Sequence, residues 1–284
     1  MIKVAAIQMI SGVEIKKNLE KMEQLVESAA KDDCKLILLP EFFALLTNQV
    51  TENVNYSEIA YELNENYLTS SKAAPVQSMI SKVAKNNNVW IVGGTVPLKT
   101  RDPSKIYNSM LVFNNEGCLV NRYDKVHLFK YSSNSDVYDE TKFISPGSKL
   151  SHIKTPVGNT FLSVCYDIRF PEFFRNKKNN HQLIDLILVS AAFTFGTGMD
   201  HWEILLRARA IENQCYVLAS AQGGKHECGR ETWGHSMLIS PWGDIINKTK
   251  FGNAIVSGYV DHELIRSIRN KLPAIFHQRY DLHE

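Results

Sequence analysis

No run of apolar residues in this 284-residue chain approaches the ~18 needed to cross a membrane as a helix. Charge of one sign is missing too. The 32 basic and 30 acidic residues are interspersed and leave a formal net charge of +2, so no broad field exists to hold nucleic acid or an anionic bilayer, and neither is expected as a partner. Cysteine is sparse: Cys34, Cys118, Cys165, Cys215 and Cys228 are odd in number, widely spaced and include no Cys-x-x-Cys pair, which argues against a disulfide framework or a zinc ribbon. Several chemical motifs are absent. No His-Glu-x-x-His and no phosphate loop occur, Gly196-Thr197-Gly198 does not continue into a dinucleotide fingerprint, and Gly234-His235-Ser236-Met237-Leu238 lacks the last glycine of a nucleophile elbow. No metal and no cofactor are expected. The amino terminus, Met1 to Met9, is strand-like and lacks a signal-peptide core, so a reducing cytoplasm is the expected setting.

What is present suits one large core, with 44% hydrophobic and 22% charged residues. No composition break, linker or repeat divides the chain, so residues 1–284 are expected to form a single domain, with a polar tail from Pro273 that needs a docking site to be ordered. Apolar runs at Val4 to Met9, Lys35 to Leu39, Val89 to Val96, Phe161 to Val164, Ile184 to Val189 and Cys215 to Ala221 predict strands. Helical spacing over 18–31, 74–88 and 201–214 predicts helices, the last with Ile204, Leu205, Ala208 and Ile211 on one face and Glu203 placed four residues before Arg207. Ile106 to Phe113 and Cys118 to Tyr123 predict a hairpin, and residues 130–147 a long loop. Strands alternating with helices, then short-turn hairpins, give the class α/β.

Chemistry concentrates where apolar strands turn polar. Phe161 to Cys165 ends abruptly in Tyr166-Asp167-Ile168-Arg169, and in open α/β sheets sites form at such carboxyl ends. Cys165 alone decides little, because free cysteines commonly serve as small buried hydrophobes. Glu41 follows Leu39-Pro40, Lys125 follows Tyr123-Asp124, and Glu140 sits in the long loop. Each has an ordinary explanation as a cap or a solvated charge. Together they supply a thiol, a carboxylate base and a cation, the set that thiol-mediated hydrolysis of a carbon–nitrogen bond requires.

Leu39-Pro40-Glu41, Tyr123 to Phe129 and Cys165 to Glu172 resemble the Glu-Lys-Cys signature of the nitrilase (carbon–nitrogen hydrolase) superfamily. His201 to Val217, Gly234-His235-Ser236-Met237 and Pro241-Trp242-Gly243 resemble its Nit subgroup. The resemblance implies a four-layer αββα sandwich and homodimers joined through helices, with the tail 273–284 at the interface. It implies Glu41 as general base, Lys125 as oxyanion donor, Cys165 as nucleophile and Glu140 as a second carboxylate, with Tyr166, Arg169, Phe193 and Thr197 around the substrate. The implied activity is hydrolysis of a small carboxylate-bearing primary amide to an acid and ammonia through a thioester. Deaminated glutathione is the first-choice substrate; the alternatives are 2-oxoglutaramate or a non-catalytic interaction protein on the same scaffold, whose mark would be a lost member of the catalytic set, and none is lost. Arg169 could equally pair with Asp167 or Glu172 on spacing alone. Ser190-Ala191-Ala192-Phe193 departs from the family's usual Pro-Ser-Ala-Phe, and Lys177 to His181 is slightly longer than usual.

Overall fold

Strand Ile2–Gln8 turns Val4 and Ala6 to one side and Ala5 and Ile7 to the other, and all four are fully buried. A strand apolar on both faces belongs inside a layered structure rather than on its surface. In the computed structural model of the chain, which describes residues 1–48, 50–64, 74–132, 137–175, 183–277 and 279, that layering is αββα. One sheet runs in the order Ala254–Val260, Ile2–Gln8, Leu36–Leu38, Trp90–Val92, Ile106–Phe113, Val96–Lys99, with Leu119–Asp124 also paired to Ile106–Phe113. The other runs Ile245–Lys248, Met237–Ile239, Tyr216–Ala221, Leu186–Ala191, Gly158–Val164, His152–Thr155. In each, the three strands that connect through helices or long segments are parallel at the centre, and antiparallel strands flank them.

The sheets meet face to face. Val4, Ala6, Leu36, Leu38 and Val112 of the first share a core with Leu162, Val164, Leu188 and Leu218 of the second. The outer side of the first sheet, through Ala5, Ile7 and Ile37, packs on helices Ile15–Lys31 and Pro75–Asn87 by way of Met22, Val26, Ile80 and Val83. Pro75 at the first turn and Asn88 in the left-handed conformation (φ +54°) delimit the second helix. Helices Phe195–Asn213 and His262–Lys271 cover the second sheet with Trp202, Leu206, Ala210 and Ile265.

Several expectations change. The helix expected to begin at His201 begins at Phe195, and its buried residues include Trp202, Leu206 and Ala210, whereas Ile204 and Ile211 are 68% and 51% exposed. That helix is apolar on both sides, so periodicity picked the outward one. Glu203 pairs with Lys248 rather than Arg207. The expected strand Val89 to Val96 is two, Trp90–Val92 and Val96–Lys99, broken at Gly93-Gly94. Gly94 has φ +40°, and a Cβ there would lie 2.0 Å from the carbonyl oxygen of Pro40. The break thus lets the segment carrying Glu41 pass close by. Within the expected loop 130–147, Lys130–Ser132 pairs with Val137–Asp139 and a 3₁₀ turn, Glu140–Lys142, follows. The insertion at 177–181 and half of the terminal tail, residues 278 and 280–284, lie outside the described residues. Among the described residues no helix is long and apolar enough to cross a membrane.

Candidate active site

Four polar side chains emerge from strand ends and converge. Glu41 lies just beyond Leu36–Leu38 and is 1% exposed. One of its oxygens accepts from Lys125 Nζ at 3.0 Å and from Asn108 Nδ2 at 2.9 Å, and the other accepts from the Ala192 amide at 2.8 Å. Lys125, the residue after Leu119–Asp124, has no exposed side chain and also lies 2.9 Å from each oxygen of Glu140. Glu140 is held in turn by the Phe129 amide at 2.7 Å. A buried ammonium is tolerated only with such partners, and two carboxylates provide them.

Cys165 follows Gly158–Val164 with φ +49°, a left-handed conformation that costs a non-glycine residue about 1–3 kcal/mol and tends to persist where the surroundings over-determine it. Asp167 is what over-determines it here. Fully buried, it accepts from the Val164 amide (2.8 Å) and the Tyr123 hydroxyl (2.7 Å) on one oxygen. Its other oxygen meets the amide and Nδ1 of His127, at 3.1 and 2.7 Å. The turn after the strand is therefore tied to the segment that delivers Lys125. Asp167 is not available to Arg169.

Electrostatics follow from this packing. Burial pushes the Cys165 thiol well above its usual range; Glu41 and Glu140 add to that, and the Lys125 charge and the Ala192 amide oppose it. Burial thus disfavours the thiolate, and a base within reach is needed to take the proton as the thiol reacts. For Lys125, burial works against the charge, yet the carboxylates of Glu140 and Glu41 outweigh it and hold the ammonium well above the ordinary lysine value. Burial raises Glu140 above the usual carboxylate range, with the Lys125 charge opposing and the Glu41 charge reinforcing.

A cavity of about 300 Å³ opens over this cluster, lined by Glu41, Glu140 and Cys165 and walled by Phe42, Phe129, Tyr138, Phe143, Tyr166 and Phe193, with Thr197 and Arg230 also on its lining. Lys125, wholly buried, is bonded to two of these lining carboxylates but is not itself among the lining residues. Thr197 sits in the first turn of helix Phe195–Asn213, bonded to Thr194 at 2.6 Å. The neighbouring Gly198 permits the helix to approach Trp233, where a Cβ would come within 2.3 Å. Arg169 is not among the lining residues. It stacks on Phe193 and Tyr166, 5.1 and 5.9 Å from the ring centres, and meets His201 Nδ1 at 3.2 Å. Asn108, Asp167 and Arg230 were not anticipated. Asn108 had a signal, an amide within the largely apolar strand Ile106–Phe113, but Arg230 sits in a polar stretch with none.

A thiol, a carboxylate and a paired ammonium at the carboxyl ends of strands in an αββα sandwich define a class of hydrolase. The chain belongs to the carbon–nitrogen hydrolase family, whose model matches residues 3–270. Its relatives include the deaminated glutathione amidase of Yersinia enterocolitica, 37% identical over 98% of this chain and 93% of that protein. The omega-amidase NIT2 of Xenopus tropicalis is 30% identical over 99% of this chain and 96% of its own length. Among solved structures, the C. elegans NitFhit protein superposes with a TM-score of 0.87 at 30% identity, covering all of this chain and 66% of that one.

Proposed function

We propose that this enzyme is an amidase acting on deaminated glutathione through a Cys165 thioester. The observation that carries the mechanism is the shared placement of Cys165, Glu41 and Glu140 on one cavity with Lys125 bonded to both carboxylates. Glu41 takes the thiol proton as Cys165 Sγ attacks the amide carbon. The oxygen that gains charge is stabilised by the Lys125 ammonium and the Tyr166 amide. As the C–N bond breaks, Glu41 returns the proton to the departing nitrogen. It then deprotonates a water that cleaves the thioester to the acid and restores the thiol. Glu140 keeps Lys125 charged and oriented.

The leaving group depends on the substrate. 2-Oxoglutaramate is a primary amide and releases ammonia as expected; deaminated glutathione carries its amide to a dipeptide and releases cysteinylglycine, so the expectation of a primary amide does not hold for it. The 37% identity to a deaminated glutathione amidase against 30% to an omega-amidase favours the peptide. Assaying both compounds for 2-oxoglutarate tests the choice. The peptide should have the larger kcat/KM, and a larger value for 2-oxoglutaramate would reverse the assignment.

A homodimer is part of the same proposal. Ile204 and Ile211 are exposed on helix Phe195–Asn213. Trp242, 50% exposed, lies on the turn whose Gly243 abuts Ile211 and beneath Lys271. Large apolar side chains exposed together on one helix and its neighbouring turn are a common mark of association. Sedimentation should give twice the chain mass at micromolar concentration, and Ile204→Glu should shift it toward the monomer. A wild-type monomer at that concentration would end this part of the proposal.

A further inference from the structure

A second cavity of about 450 Å³ adjoins the catalytic one, and the two share Asn48, Tyr138, Thr194, Thr197 and Arg230 in their linings. An amide seated with its carbonyl carbon at Cys165 places its acyl half and its nitrogen substituent on opposite sides of the breaking bond. For 2-oxoglutaramate that substituent is hydrogen, whereas a peptide needs room for it. We propose that the outer cavity is the subsite for the leaving half of an extended amide, and that Arg230 binds the carboxylate at its far end. The inference rests on the amidase activity proposed above and narrows its substrate to amides bearing a second, distal carboxylate.

Arg230 suits that task. Among the described residues its guanidinium makes one long hydrogen bond, to the Thr47 carbonyl at 3.4 Å, and has no carboxylate within 4.0 Å. A planar fork of donors thus remains available for a bidentate partner. Other charges nearby are otherwise placed. Glu140 is tied to Lys125, Asp139 to Thr141 and Lys130, Lys142 is exposed and lines the inner cavity alone, and Glu231 is exposed at the outer one. The backbone of Arg230 is fixed as well. Its carbonyl accepts from the His226 amide at 2.9 Å, and the buried His226 ring bridges the Ser11 carbonyl and the Thr232 hydroxyl at 2.9 and 2.8 Å. With its backbone anchored, Arg230 has only side-chain freedom to lose when its guanidinium binds a carboxylate.

The test compares kcat/KM for deaminated glutathione and for its analogue with the terminal carboxylate replaced by a carboxamide, in the wild-type protein and in Arg230→Met. The wild type should prefer the acid by about 10–100-fold, the usual weight of a charge-assisted bond, and the variant should treat the two alike. Because each comparison is a ratio within one preparation, partial loss of folded protein cancels. A wild type without the preference, or a variant that keeps it, overturns the inference while leaving the amidase assignment standing. A wild type that cleaves neither deaminated glutathione nor 2-oxoglutaramate sinks that assignment, and the subsite with it.

Discussion

Replacing Cys165 by alanine should reduce turnover by on the order of 10⁵-fold or more, the scale on which loss of a nucleophile acts when the remaining groups work only through it. The fold should survive. The residue is 8% exposed and carries one heavy atom beyond Cβ, so its loss removes little buried area and costs about 1 kcal/mol or less. The left-handed backbone at this position is imposed by the bonds Asp167 makes to Val164, Tyr123 and His127, none of which involves the thiol. Single-turnover kinetics should detect no acyl-enzyme, and the melting temperature should stay within a few degrees of wild type. Substantial residual turnover would mean that Glu41 activates water directly on the amide, and that Cys165 is a packing residue.

The central strands were legible in sequence because strands buried on both faces must be apolar nearly throughout, and Ile2–Gln8, Leu186–Ala191 and Tyr216–Ala221 have few polar positions; that they form two stacked sheets was implied only by the family resemblance. The helix Phe195–Asn213 was legible as a helix but not in its orientation. Trp202, Leu206 and Ala210 compete with Ile204 and Ile211 for the apolar side, and only the position of the sheet decides between them. Similarly, Glu41, Lys125 and Cys165 could be found as polar residues where strands end. Their partners could not. The Ala192 amide that meets Glu41 is a backbone group with no signature, and Asp167 reads locally as a candidate partner for Arg169 until the Lys125 segment brings Tyr123 and His127 to it. Arg230 reaches the cavity from 65 residues beyond Cys165 in sequence, a juxtaposition created by the sandwich itself.

Lys125→Met should lower kcat by about 10²–10³-fold, as removal of an oxyanion donor does, and should destabilise the protein in a way that depends on pH. The ammonium is fully buried between Glu41 and Glu140. Without it two carboxylates face each other with their cation gone, a change that costs about 3–5 kcal/mol when both are charged. Their shared site then favours one proton, so the folded-state pKa of the pair rises above the unfolded glutamate value of about 4.3. The sign follows from linkage. The penalty is full at pH values above the raised folded pKa, shrinks as pH falls through it, and is gone below the unfolded value. Thermal melts of variant and wild type should therefore lie far apart at pH 8 and converge toward pH 5. Adding Glu140→Gln to Lys125→Met should recover most of the lost stability without restoring kcat, since it relieves the repulsion but supplies no cation. Melting curves that coincide at pH 8, together with a kcat within twofold of wild type, would show that the Lys125 charge matters neither to the packing of the two glutamates nor to the reaction above them.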